Sequence, residues 1–279
     1  MLTTTCRVAT RKSITLFVLL AYSIAWVLWL PLLLGPKGLR LTRYDVSLPF
    51  FASLGTIGPM LASFIATRME KGRWSMPSRF LPLPKAQNWL NLLTGPALII
   101  AAFVVIPYMI CVAPGHRLIH LRFLSALMAV WPNILGGPLE EEFGWRGYLL
   151  PRIATHTGNA VAAISVGVVW ATWHLPLMLA HVWSVSFWYF LPMAVAVGIF
   201  ASLAYFATGR SIVGAVTVHY VFNTCSVMLG TALAGQPLYS NRDVDKVVLL
   251  SMIGVAVITI AVTRGRLGSA LAAKESKSR

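Results

Sequence analysis

The sequence predicts an all-α, polytopic membrane protein of about eight transmembrane helices with a polar site inside the membrane. The first reason is composition: 57% of the 279 residues are hydrophobic and 11% are charged, whereas about 25% of the residues in a soluble domain are charged. The second reason is a succession of apolar runs close to the ~20 residues that a helix needs to cross a bilayer. No internal repeat or linker divides the chain, so residues 1–279 are predicted to form a single membrane domain.

The apolar runs give the predicted helices in order. They cover residues 14–35, 48–67, 89–112, 123–137 with an irregular continuation to 150, 159–181, 187–208, 212–234 and 247–263. The first run follows a basic segment, as in a signal sequence. It is long enough to span and has no obvious small-residue cleavage site, so we expect it to be retained. The fourth run is interrupted by prolines and glycines between Pro132 and Pro138, which predicts a broken helix.

The charge of the chain is strongly positive, with a net value of +15 from 23 Lys and Arg against 8 Asp and Glu. Nucleic-acid binding fits this charge poorly, because the basic residues lie between the apolar runs and at the termini and do not form one patch. If the N-terminus is cytoplasmic and each run crosses once, most basic residues fall on the cytoplasmic side, as expected for a multi-pass protein. The sequence therefore predicts a protein of the cell membrane, surrounded by lipid, with both termini in the cytoplasm.

Three of the eight acidic residues, Glu140, Glu141 and Glu142, stand together in apolar sequence. The other five are predicted to lie in loops or in the C-terminal tail: Asp45, Glu70, Asp243, Asp245 and Glu275. Acids that follow Pro138 are also typical of an ordinary helix start. Glu142 and Arg146 are spaced to pair on one helix face. Since successive residues differ by about 100° around a helix, Glu141 then points elsewhere, where it could meet another helix and act as a general base.

Two later helices offer polar partners for Glu141. Trp170 and His174 are spaced to share one helix face, and His219 and Asn223 are spaced in the same way on another helix. Each pair alone is weak evidence for a functional site, because a histidine within the membrane is often only hydrogen-bonded to a neighbouring helix. Together with Glu141 they predict one polar site built from three helices.

Several other chemistries lack their sequence signals. The HExxH helix motif of zinc proteases is absent, no two aspartates fall within predicted spans, and no Gly-x-Ser-Gly turn occurs. Cys6, Cys111 and Cys225 are widely spaced and odd in number, so they offer neither a disulfide framework nor a paired metal site. The remaining hydrolytic chemistry is that of a glutamate with histidines.

The ordered pattern Glu141-Glu142-x-x-x-Arg146, Trp170-x-x-x-His174 and His219-x-x-x-Asn223 resembles the CPBP family. This family comprises CAAX prenyl endopeptidases and bacteriocin-processing enzymes, and is also called the ABI or Rce1-like family. The matching part runs from about residue 131 to residue 229, which would form the catalytic core, and "GWRGYLLPRI" resembles the bacterial branch. One departure is the tryptophan at position 170, where phenylalanine is usual, and we interpret it as a conservative replacement.

The resemblance implies an intramembrane endopeptidase whose site opens to the cytoplasmic side. Glu141 and His174 would activate a water molecule, and His219 and Asn223 would bind the oxyanion. Glu142 and Arg146 would support them. A zinc ion held by Glu141, His174 and His219 is one form of this chemistry, and a metal-free glutamate mechanism, which we favour, is the other.

The substrate implied by the resemblance is a peptide or protein associated with the membrane. Two other functions fit the same residues. One is a non-catalytic membrane scaffold or bacteriocin-immunity protein on the same fold, and the other is a transporter or proton relay. A transporter would be expected to repeat its polar, interrupted helices in both halves of the chain, whereas the candidate residues here fall in the second half. The sequence makes no prediction of the oligomeric state.

Overall fold

The computed structural model describes residues 11–75, 89–111, 136–182, 185–233 and 242–268, and every regular element in these ranges is helical. The elements are α1 (Arg11–Leu34), α2 (Leu48–Gly55), α3 (Ile57–Lys71), α4 (Trp89–Ile99), a π-helical segment (Ile100–Val105), α5 (Ile106–Cys111), α6 (Pro138–Gly144), a second π-helical segment (Trp145–Leu149), α7 (Leu150–Thr157), α8 (Asn159–Trp173), α9 (Leu175–Leu179), α10 (Phe187–Ala207), α11 (Ile212–Leu233) and α12 (Arg242–Val262). The predicted all-α fold is confirmed.

Six described helical stretches are long and apolar enough to cross a membrane. They are Arg11–Leu34, Leu48–Lys71, Leu90–Ile110, Asn159–Leu179, Phe187–Ala207 and Asp245–Val262. They correspond to six of the eight predicted spans. The predicted span 212–234 coincides with α11, a helix of 22 residues. The fourth predicted span was residues 123–137 with an irregular continuation to 150. Its residues 123–135 lie outside the described residues. The rest of it leads into α6, the π-helical segment Trp145–Leu149 and the start of α7.

The helices meet at two opposite ends of the bundle. At the first, which we call the proximal end, the Asn159 side chain donates a hydrogen bond to the Arg266 carbonyl at 2.8 Å. At the same end the Asn91 side chain donates to the Ala207 carbonyl at 3.1 Å. The starts of α4 and α8 and the ends of α10 and α12 therefore lie together. At the opposite, distal end, Ala180 after α9 lines a small cavity with residues of the 31–48 segment.

Three acids predicted to lie in loops are found in helices. Glu70 belongs to the last turn of α3, where its carboxylate pairs with Arg152 at 2.6 Å. Asp243 and Asp245 lie in the first turn of α12. The prediction placed helix ends where the apolar runs end. Helices continue beyond those runs because polar side chains at the membrane surface are readily solvated or paired.

Close helix contacts fix the positions of the helices that carry the candidate site. A Cβ atom at Gly167 of α8 would lie 2.7 Å from the Cα of Val195 in α10, and one at Gly144 of α6 would lie 2.6 Å from Pro59 in α3. Both distances are shorter than real Cβ contacts, so these positions require glycine. Small residues let membrane helices approach closely and hold their register. They hold α8 against α10 and α6 against α3.

Candidate active site

The three consecutive glutamates occupy the start of α6, and helical geometry separates them. Glu141 is 3% exposed and Glu142 is fully buried, whereas Glu140 is half-buried. The Glu140 carboxylate accepts a hydrogen bond from the Gly137 backbone N–H at 3.3 Å, so it caps the helix start. The ordinary helix-start interpretation therefore holds for Glu140. It does not account for the two carboxylates buried inside the bundle.

Glu142 lies in a buried charged cluster. Its Oε1 atom accepts a hydrogen bond from Nη1 of Arg146 at 2.7 Å, which confirms the predicted pair on one helix face. The same oxygen accepts a second hydrogen bond, at 2.9 Å, from Nδ1–H of His219 on α11. Arg146 is fully buried in the π-helical segment, a distortion that is frequent at functional sites. The sequence predicted the first contact and missed the second.

Trp170 brings the remaining candidates together. Its indole Nε1–H donates a hydrogen bond of 2.5 Å to Oε2 of Glu141. Its ring centroid lies 5.3 Å from that of His174 and 5.0 Å from that of His219. A glutamate on α6, a histidine at the end of α8 and a histidine on α11 therefore surround one indole. The sequence predicted that Trp170 and His174 share a face, and this is confirmed.

The role of Trp170 as a donor was missed, because the position was interpreted as a conservative change from phenylalanine. The signal was available in the sequence. A buried indole N–H usually finds a hydrogen-bond partner, and phenylalanine has no donor to offer.

His174 lies where α8 ends and α9 begins, and it is 4% exposed. Its Nδ1 is 2.8 Å from the Trp170 carbonyl oxygen. A carbonyl can only accept, so Nδ1 carries the proton and Nε2 of the neutral ring carries the lone pair. Aromatic rings surround the imidazole, with centroids at 4.6 Å for Trp173 and 5.3 Å for Phe190. This packing holds the ring in one orientation.

Asn223 lies one turn beyond His219 on α11 and is half-buried. A Cβ atom at Gly137 would lie 3.1 Å from Oε1 of Glu141 and 3.9 Å from Nδ2 of Asn223, so both side chains reach the same glycine. Gly137 has φ of 153°, a conformation that side chains rarely adopt. The glycine therefore lets the backbone approach the site where Glu141 and Asn223 meet.

The donor set does not assemble a metal centre in the described part of the chain. Among residues 11–75, 89–111, 136–182, 185–233 and 242–268, no group of three or more His, Cys, Asp or Glu side chains could hold a metal ion. Glu141, His174 and His219 all contact Trp170, and the indole ring lies among them. The zinc arrangement considered from the sequence is therefore not supported by these positions.

Comparison with known proteins finds a family match over the part of the chain that carries these residues. The sequence model of the family described as Type II CAAX prenyl endopeptidase Rce1-like matches residues 123–225, which contain every candidate residue. This part of the chain is similar to the Rce1-like family. A relative, CAAX prenyl protease 2 of Methanococcus maripaludis, is 23% identical over 186 residues, covering 61% of this chain and 68% of the relative. In general terms the protein is therefore a multi-pass membrane protease of the CAAX type. Its placement in the bacterial branch stays a prediction.

Proposed function

We propose that the protein is an intramembrane endopeptidase that hydrolyses a peptide bond of a membrane-associated peptide or protein. The observation that carries this proposal is the joint contact of Trp170 with Glu141, His174 and His219. A buried carboxylate, the Nδ1-protonated imidazole of His174 and the imidazole of His219, whose Nδ1–H faces Glu142, supply a base and polar groups for the reacting carbonyl.

In this proposal Glu141 and His174 activate the attacking water molecule. Glu141 takes a proton from water while the lone pair on Nε2 of His174 orients the same molecule. The oxygen of that water then attacks the carbonyl carbon and forms a tetrahedral oxyanion. When the C–N bond breaks, the proton held by Glu141 passes to the leaving nitrogen. Burial of Glu141 at 3% exposure favours this cycle, because solvent does not compete for the proton.

In this proposal Asn223 and His219 stabilise the oxyanion. The Asn223 amide can donate directly. Nδ1–H of His219 is already donated to Glu142, so the ring can donate from Nε2 only as an imidazolium. The Glu142 carboxylate faces that charge at 2.9 Å. In this assignment Glu142 has two partners, Arg146 for the structure of the helix and His219 for the reaction.

A chelator is expected to leave cleavage unchanged. The described histidines and acids do not form a metal centre, and the proposed mechanism draws both its base and its oxyanion donors from side chains. Purified protein is assayed before and after treatment with 1,10-phenanthroline, and its zinc content is measured in parallel. Loss of cleavage on chelation, reversed by added zinc and accompanied by stoichiometric zinc, would overturn the metal-free mechanism.

Replacing Trp170 by phenylalanine is expected to lower kcat with little change in KM. The variant keeps an aromatic ring against both histidines but loses the N–H that orients Glu141. A hydrogen bond to a charged group contributes about 1.5–3 kcal/mol, so a decrease of about ten- to a hundredfold in kcat is expected. Trp188, 77% exposed on the surface of α10, supplies the matched control Trp188→Phe. Equal activity of the two variants would show that the indole acts only by packing.

The test of the proposed function uses wild type and Glu141→Ala purified in detergent. Each is incubated with a library of membrane peptides that includes farnesylated CAAX peptides, and cleavage is measured by mass spectrometry. Cleavage by wild type alone supports the endopeptidase. A Glu141→Ala variant with full biological activity would favour the scaffold or immunity function, and proton-coupled uptake that depends on Glu141 would favour the transporter.

A further inference from the structure

The helical stretch Asn159–Leu179, long and apolar enough to cross a membrane, is broken at His174, where α8 ends and α9 begins. The cause is in the sequence. Pro176 has no N–H, and in a continuous helix its ring would clash with a carbonyl of the preceding turn. The backbone tightens at the break, and the His174 N–H donates to the Ala171 carbonyl, three residues back, at 3.2 Å. In an unbroken helix its acceptor would be the Trp170 carbonyl, four residues back.

The break frees two backbone carbonyls in the last turn of α8. The first is that of Trp170, which accepts the hydrogen bond of 2.8 Å from Nδ1–H of the His174 ring. The second is that of Trp173. In a continuous helix the Leu177 N–H would donate to it, but this N–H donates to the His174 carbonyl at 3.0 Å. The proton on Nδ1 of His174, and with it the lone pair on Nε2, therefore depends on the break.

The first helix supplies a donor for the second of these carbonyls. Nε1–H of Trp26 on α1 donates to the Trp173 carbonyl at 2.9 Å. The core of a bilayer has no water to satisfy a freed carbonyl, so a break in a membrane helix needs donors from its neighbours. Trp26 therefore stabilises the broken backbone over a continuous helix, in which the Leu177 N–H would occupy the same acceptor.

Two further contacts fix α1 against the last turn of α8. The Tyr22 hydroxyl donates to the Val169 carbonyl at 2.7 Å and lies 2.6 Å from the Thr172 hydroxyl. In the other direction, Nε1–H of Trp173 donates to the Ala21 carbonyl at 3.3 Å. These three residues of α8 share one helix face, and the two residues of α8 that face the site share another. The helix α1 thus supports the last turn of α8 from a face that the site does not use.

We propose that Trp26 is a positioning residue for His174, an inference that rests on the proposed role of His174 in water activation. Trp26 keeps α8 broken through the backbone at Trp173. The break presents the Trp170 carbonyl to Nδ1–H of His174, and this hydrogen bond leaves the lone pair of Nε2 free to orient the water. Trp26 lies outside residues 123–225, the part that matches the family. The site therefore depends on a helix that the match does not include.

The variant Trp26→Phe tests this link. Phenylalanine keeps an aromatic ring beside Tyr22, whose centroid lies 5.2 Å from that of the indole, and removes the N–H. Because Trp26 is 37% exposed, the smaller ring leaves no enclosed cavity. We expect kcat to fall about tenfold with little change in KM, since a misplacement of about 1 Å in a catalytic group can cost about a hundredfold.

The matched control is Asn91→Leu. It removes the hydrogen bond of 3.1 Å from the Asn91 side chain to the Ala207 carbonyl, which also joins two helices but lies at the proximal end. Its kcat is expected to equal that of wild type. An equal loss of kcat in the control and in Trp26→Phe would overturn the proposal, because the effect would then come from helix packing in general.

The His174 ring provides a second measurement, which does not depend on activity. In protein labelled with ¹⁵N-histidine, the His174 signals are those that disappear in a His174→Gln variant, and their chemical shifts report which ring nitrogen carries the proton. Wild type and Asn91→Leu are expected to show a proton on Nδ1, and Trp26→Phe a mixture of both tautomers. A His174 spectrum that Trp26→Phe leaves unchanged would overturn the proposal.

The positioning role and the endopeptidase function fail separately in these experiments. If wild type cleaves and Glu141→Ala does not, while Trp26→Phe equals wild type in kcat and in the His174 spectrum, the positioning role is wrong and the endopeptidase stands. If wild type and Glu141→Ala cleave equally while Trp26→Phe changes the His174 spectrum, the endopeptidase is wrong and the link from Trp26 to His174 stands.

Discussion

Replacing Glu141 by glutamine is expected to lower the rate of peptide cleavage by about 10²- to 10⁴-fold, the usual contribution of a positioned general base. Glutamine has nearly the same shape and can still accept the hydrogen bond from Trp170. The helix packing is therefore preserved while the proton acceptor is lost. We expect kcat to fall and the thermal unfolding temperature in detergent to stay the same or rise, because an amide is easier to bury than a carboxylate.

The matched control is Glu140→Gln. This residue precedes Glu141 in the same turn, is half-buried, and accepts a hydrogen bond from the Gly137 N–H. Glutamine can keep that cap, so cleavage by the control is expected to stay within a few-fold of wild type. If both variants lost activity equally, the effect would come from the start of α6, and the assignment of Glu141 as the base would be wrong.

The sequence predicted those parts of the site that depend on spacing within one helix. The four-residue spacing of Glu142 and Arg146 predicted their ion pair, which is found at 2.7 Å. The same geometry directed Glu141 away from Arg146, and its carboxylate does contact another helix, through Trp170. These predictions hold because helical periodicity fixes direction whatever the rest of the fold does.

Features that depend on contacts between helices were not predicted. The hydrogen bond from His219 to Glu142 joins α11 to α6, and nothing in the spacing of either segment sets their relative depth. The π-helical turn at Trp145–Leu149 has no simple sequence pattern.

Replacing Arg146 by methionine is expected to destabilise the protein by about 3–5 kcal/mol, the usual effect of breaking a buried ion pair from one side. Arg146 is fully buried, and its Nη1 is the guanidinium atom that pairs with Glu142. Without it, His219 is the remaining partner of the Glu142 carboxylate among the described residues. The thermal unfolding temperature in detergent should fall, and cleavage should fall with it. An unchanged unfolding temperature would mean that the pair contributes no stability here.

The double variant Glu142→Gln with Arg146→Met separates stability from chemistry. Removing both members of a buried ion pair is often neutral for stability, so the unfolding temperature is expected to return towards that of wild type. Cleavage is expected to stay low, because Nδ1–H of His219 then faces a neutral amide, which cannot stabilise the imidazolium needed to donate to the oxyanion. If cleavage recovered together with stability, His219 would need only to be oriented, and Asn223 would be the main oxyanion donor. If the unfolding temperature returned but cleavage stayed low, the negative charge of Glu142 would be needed for the reaction itself.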